Sequence, residues 1–243
     1  MKRYILSAAF LVGAWAASAQ EITKELRSFN KIVVSPKVNL ILEKGDHESI
    51  RLIYSGVTES KINIEVNGKT LCVYLDDARV TEHTIRVNEN RREGIYKNVE
   101  VTAYVTYRDL KALEIRGNQE LTCNGPLDAK KFKLKAYGEN EINLASVQTG
   151  YFKTSLYGEN DLKVKGGKAD YQKYRLFGEN KIDTQALKSF ATITNIYGES
   201  KIKLNTQDEL KVNSFGESHV YYAGNADINR GLIFGNARIE KLQ

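Results

Sequence analysis

The tetrapeptide "YGEN" stands at residues 137–140 and again at 157–160, and "FGEN" follows at 177–180. Softer copies are "YGES" (197–200), "FGES" (215–218) and "FGNA" (234–237). Numbered from the glycine, the copies fall at Gly117, Gly138, Gly158, Gly178, Gly198, Gly216 and Gly235, with steps of 21, 20, 20, 20, 18 and 19 residues. A near-constant period of this length marks stacked supersecondary units, each unable to bury its apolar face alone.

Inside each unit the period is two. Two residues before the glycine stand Ile115, Ala136, Leu156, Leu176, Ile196, Ser214 and Ile233. Four before it stand Leu113, Leu134, Thr154, Tyr174, Thr194, Val212 and Gly231, and four after it Leu121, Ile142, Leu162, Ile182, Ile202, Val220 and Ile239. Alternation rich in branched residues on both sides of a glycine is a pair of half-buried strands, not a helix. Seven such units predict an all-β, parallel β-helix-like solenoid over residues 106–243. The usual crossover hand favours a right-handed coil.

The same parity predicts Leu156, Gly158, Asn160 and Leu162 inside, with Tyr157 and Glu159 outside. Glycine suits a corner where the backbone takes positive φ. Asn140, Asn160 and Asn180, with Ser200 and Ser218 after them, are placed to bond corner backbone and their own copies in the next coil. Cys123, six after its glycine, shares a column with Leu144, Val164 and Leu204 and reads as a buried core thiol rather than the partner of Cys72.

Two exposed rows follow from the repeat. Tyr137, Tyr157, Phe177, Tyr197 and Phe215, continued by Phe234, form an aromatic column. It reads either as stacking between coils or as a platform for sugar rings or an apolar partner. Glu139, Glu159, Glu179, Glu199 and Glu217 form a carboxylate row. It reads as a solvated face meeting neighbouring lysines, with a calcium ladder as the lesser alternative. Lys133, Lys153, Lys173 and Lys211, five before the glycine, make an opposing basic stripe suited to an anionic polysaccharide or simply to water.

Residues 20–105 lack the period but stay β-patterned, as in "KIVVSPKVNLIL" and "KINIEVNGKTLCVYL". They read as a cap with early irregular coils. Asn67-Gly68 signals a hairpin turn, "EKGDHE" (43–48) another turn, and "IRVNENRREGIYKN" (85–98) an exposed charged loop. Residues 1–19 carry Lys2 and Arg3, a short apolar run and Ala17-Ser18-Ala19, the pattern of a secretory signal peptide. The run is too short to span a bilayer, and no other segment approaches a span. Removal of Lys2 and Arg3 takes away two of the six surplus positive charges, which leaves no nucleic-acid signature.

The three histidines are scattered away from metal-ligand spacing, and neither a nucleophile elbow nor a phosphate loop is present. No cofactor and no catalytic residue is expected.

The signal peptide, the lead "FNKIVVSPKVNLILEKGD" and the Gly-x-Asn/Ser coils together resemble the bacterial head GIN domain family of auto-transporter adhesins, common in Bacteroidetes-type genomes. The resemblance spans about Ile22 to Ile239, although many members show Gly-Ser-Gly-Asp-like corners where this chain has Gly-Glu-Asn/Ser. It implies an exported β-solenoid without established enzymatic activity, in the periplasm or at the cell surface. The expected function is a non-enzymatic binding module for cell-surface glycan or protein. The alternatives are a polysaccharide-acting lyase or hydrolase, by fold analogy alone, and a structural envelope scaffold that associates through coil ends.

Overall fold

The computed structural model describes residues 19–242. The predicted signal peptide therefore lies, but for Ala19, outside the described residues. From Ala112 the chain is nearly continuous strand: β10 (Ala112–Val164), β11 (Gly167–Phe177), β12 (Asn180–Ala223) and β13 (Asp227–Lys241). These are coils of one solenoid, because each pairs in parallel with the stretch about twenty residues on. Leu156 faces Leu176, Leu176 faces Ile196, and Asn160 faces Asn180.

Three sequence columns fill the interior. Four before, two before and four after the glycine, each residue from the Gly117 unit to the Gly216 unit is at most 1 % exposed. Each fully buried Leu or Ile contributes roughly 1.5–3 kcal/mol before chain entropy is charged. Gly231 departs from its column. Val212 pairs with Arg230 but Ser214 with Ile233, so a bulge between them absorbs the change of step and takes Gly231 out of the ladder.

The glycines are in register, but on the surface. The expectation that Gly158 shares the interior with Leu156 fails: Gly158 and Gly178 are exposed. The corner breaks the alternation, since Gly117 through Gly235 in the repeats all have φ between 96° and 132°. Aromatic, glycine and glutamate consequently point outward in succession, and the Asn or Ser that follows turns in. A Cβ on Gly178 would lie 2.5 Å from the carbonyl oxygen of Gly158, and one on Gly198 would lie 2.7 Å from that of Gly178. Only a residue without a side chain lets the corners stack this closely.

The N-terminal part continues the solenoid by an indirect route. β2 (Lys31–Val34) and β3 (Val38–Lys44) pair in parallel with the first repeat, Ile32 opposite Leu113 and Leu40 opposite Leu121. Pro36 stands below Gly117, whose missing Cβ would meet the Pro36 Cα at 2.9 Å. The next layer out is β6 (Thr70–Leu75) on β2 and β9 (Glu100–Tyr107) on β3, both still parallel. Antiparallel strands then close the end. β5 (Ile62–Asn67) pairs with β6 through the two-residue turn at Gly68-Lys69, while β4 (Ser49–Ser55) and β1 (Gln20–Glu25) extend β9. The "EKGDHE" turn joins β3 to β4, and the charged stretch at 85–98 contains a small exposed hairpin, β7 (Thr84–Asn88) with β8 (Arg91–Gly94).

Cys123 is 1 % exposed and Cys72 half-buried, and both are free thiols. Burial pushes the Cys123 thiol up from its ordinary range. At the far end no residue of β13 is buried, with Leu232 and Phe234 about 60 % exposed.

The corner gives a direct test. Gly178→Ala places a Cβ against backbone at positive φ and should cost about 2–4 kcal/mol. Gly68→Ala, which meets nothing within 4 Å, should cost about 1 kcal/mol. Thermal melts of the two variants would show the order; equal melting temperatures would remove the stacking argument.

Candidate functional site

Each corner sets three side chains around its glycine, and the coil repeat turns each into a row. The aromatic row is a continuous stack. Tyr137–Tyr157, Tyr157–Phe177, Phe177–Tyr197 and Tyr197–Phe215 have ring centroids 4.9, 4.9, 4.8 and 5.0 Å apart with interplanar angles of 4–6°. Phe234 closes the stack at 5.2 Å. Each inner ring spends both faces on its neighbours and offers solvent an edge. Of the two expected roles, the geometry supports stacking between coils, and Phe234 alone ends the column with a largely exposed ring.

Beneath the stack runs an amide ladder. Asn140 Nδ2 donates to Asn160 Oδ1 at 2.9 Å, and Asn160 Nδ2 donates to Asn180 Oδ1 at 3.1 Å. Asn140 and Asn180 also donate to the carbonyls of Tyr137 and Phe177, which ties each amide to its own corner. These side chains are 4–5 % exposed, so the ladder satisfies polar groups that would otherwise be costly, and leaves Asn140 Oδ1 at its first rung without a partner. It ends where serine replaces asparagine: Ser200 Oγ finds no partner, and Ser218 turns back to Ser214 at 2.9 Å.

The glutamate row is exposed throughout. Its expected lysine partners are absent. Among the described residues Glu139, Glu159, Glu179, Glu199 and Glu217 make no ion pair, and Lys181 bonds Asp161 instead at 2.8 Å. The row borders a shallow groove of about 630 Å³ whose other wall runs from Glu141 and Asp161 to Lys181, Lys201 and His219. No group of three or more His, Cys, Asp or Glu among the described residues is placed to hold a metal ion. The calcium alternative for Glu139, Glu159, Glu179 and Glu199 thus finds no converging set, even with Glu141 and Asp161 across the groove.

The strand before the corner carries opposite charge. Lys153 pairs with Lys173, and Ser155 with Arg175. Lys133 and Lys135 lie close enough to act on Lys153. Desolvation first, then Arg175, Lys133 and Lys173, hold the Lys153 ammonium below the usual lysine range. Among the described residues none of these five cations makes an ion pair. At the start of the same strand lies an open cleft of about 540 Å³, lined by Lys168, Tyr171, Lys188 and Phe190 with Asp170, Ser189 and Gln207. Tyr171 and Phe190 are each 51 % exposed and meet edge to face at 6.3 Å.

The description "Putative auto-transporter adhesin, head GIN domain" matches residues 28–226. The chain belongs to the head GIN domain family. Among solved structures it is similar to a "putative adhesin" from Bacteroides fragilis, with a TM-score of 0.77, 16 % identity, and 93 % of this chain and 98 % of that one covered. A "putative adhesin" from Parabacteroides merdae gives 0.63 and 16 %, covering 93 % and 96 %. A "putative lipid binding protein" from Parabacteroides distasonis gives 0.60 and 13 %, covering 93 % and 97 %. At these identities the likeness shows the fold alone. No curated protein matches the chain.

In this head GIN domain the predicted corner residues all lie on one ridge. Its cleft went unseen in the sequence. Tyr171 stands seven residues before its glycine and Phe190 eight before the next, so no single column contains both. The repeated Tyr-x-Lys at 151–153 and 171–173 was the available signal.

Asn160→Ala removes the acceptor of Asn140 and the donor to Asn180 and should cost about 1–3 kcal/mol. Tyr157→Ala breaks two stacking contacts at about 0.5–1.5 kcal/mol each, beyond its lost apolar area. Urea unfolding should show a lowered midpoint with unchanged slope for both. An unshifted midpoint for either would remove that row from the fold's support.

Proposed function

We propose that this head GIN domain is an exported, non-enzymatic adhesion module that engages cell-surface glycan through the flank of its rod. The observation that carries the reading is the segregation of charge about the aromatic ridge. Lys133, Lys135, Lys153, Lys173 and Arg175 crowd one side, and exposed glutamates line the other, without ion pairs between them. Surface charge arranged only for solubility gains from interspersing the two signs. Crowding like charges costs stability, and among the described residues no ion pair offsets it here.

The family description and two solved relatives speak of adhesins, which supports adhesion over a lyase or hydrolase. Export is supported by the family's description and by the signal-like residues 1–19. No helix among the described residues is long and apolar enough to cross a membrane. A second reading, an envelope scaffold that associates through coil ends, draws on β13 with its exposed Leu232 and Phe234.

The test uses residues 20–243 on arrays of envelope glycans, with light scattering on the same sample. Saturable glycan binding by a monomer, without release of new sugar ends, is the expected result. Oligomers that bind no glycan would favour the scaffold, and newly released sugar ends would favour the enzyme.

A further inference from the structure

We propose that the cleft between Tyr171 and Phe190, together with the Lys153–Lys173–Arg175 ladder leading from it, is a binding site for an acidic polysaccharide with regularly spaced carboxylates. This inference rests on the adhesion reading above and narrows it to one ligand class and one face.

The two aromatic side chains supply the first half of the argument. The inner rings of the corner stack, Tyr157 to Phe215, have no free faces, since each lies about 5 Å from both neighbours. Tyr171 and Phe190 are different. They meet edge to face, half of each remains exposed, and they form walls of an open cavity of about 540 Å³. That volume falls within the range of small-ligand sites. An exposed ring face packs against the C–H face of a pyranose, and Asp170 and Gln207 at the rim offer an acceptor and an amide for hydroxyl groups.

The cations supply the second half. Lys168 and Lys188 are paired neighbours in adjacent coils and both line the cavity. Lys173 is two residues beyond Tyr171 on the same strand, with Lys153 beside it in the preceding coil and Arg175 two residues further. Lys133 continues the row. Among the described residues, no ion pair engages any of these side chains, so an arriving carboxylate displaces no partner. Asp170 is the one acid at the cavity wall.

Spacing argues for a polymer rather than a single anion. Adjacent coils lie about 4.8 Å apart, close to the length of one pyranose residue in an extended chain. A uronate-rich strand running along the rod axis keeps pace with the coils, so those of its carboxylates that face the rod meet the Lys133–Lys153–Lys173 row while one ring rests in the aromatic cleft. A nucleic acid is a weaker match, because its bases would need several stacking faces and the cleft offers two aromatic walls.

The experiment is calorimetric titration of residues 20–243 with oligogalacturonate, with the same oligomer after its carboxylates are reduced to alcohols, and with phosphatidylglycerol vesicles. Oligogalacturonate should bind, weaken at least tenfold between 50 and 300 mM salt, and exceed the reduced oligomer by at least tenfold. Lys153→Gln/Lys173→Gln should weaken oligogalacturonate at least tenfold and leave the melting temperature unchanged or raised. Tyr171→Ala/Phe190→Ala should weaken both oligomers. Equal binding of the two oligomers would overturn the acidic assignment and leave the adhesion reading standing. Undiminished oligogalacturonate binding by both double variants would overturn the site. Vesicle binding without oligogalacturonate binding would overturn the ligand class in favour of lipid phosphate. Failure to bind these oligomers or any glycan of the array would overturn the inference and the adhesion reading together.

Discussion

The stacking of the coils depends on the approach of one glycine's α-carbon to the carbonyl of the glycine one coil away. Every corner from Gly138 to Gly235 places the absent Cβ within 2.7 Å of that oxygen. At this separation no side chain fits, and at φ near +100° few would adopt the backbone in any case. The glycine column therefore fixes how closely and in what register the coils stack. From that register come the 4.8–5.2 Å ring spacing and the amide ladder, since each requires identical atoms to recur directly above one another.

The register also explains why unlike interactions share one ridge. Aromatic faces, amides and carboxylates respond differently to repetition at one coil spacing. Rings gain from it by stacking, and amides gain because each has both a donor and an acceptor to pass along. Carboxylates only repel, by roughly 1 kcal/mol per neighbouring pair in water. The structure accordingly buries the amides, half-buries the rings and leaves the glutamates in solvent. The backbone aligns positions and the sequence sets their sign, so the glutamate row carries one charge while the groove wall beside it mixes Glu141 and Asp161 with Lys181 and Lys201.

Much of this was legible from spacing. The inward columns around Leu156, Leu176 and Leu162, the outward Tyr157 and Glu159, the buried Cys123 and the Asn67-Gly68 hairpin follow from period, parity and turn chemistry. The sidedness of Gly158 did not follow, because strict alternation assumes continuous extended backbone and a positive φ adds an outward position. Nor did the role of Pro36 beneath Gly117. The strand segments of that layer and the next are separated by the excursions that contain β4, β5 and the β7–β8 hairpin, so no constant step links 31–44 to the repeats. The cleft escaped for a related reason, since Tyr171 and Phe190 belong to neighbouring coils at different offsets.

The two ends of the rod meet the same problem by different means. A parallel ladder leaves unpaired backbone groups on its last strand. At the N-terminal end the chain doubles back, and β5, β4 and β1 convert parallel pairing into antiparallel pairing, which a short turn can supply where a parallel partner would need a long crossover. At β13 the pairing stays parallel, and Ile228, Ile233 and Ile239 are only partly buried. The bulge at Gly231 takes one residue of this last coil out of register, which interrupts the ladder and makes the edge a poorer template for an incoming strand.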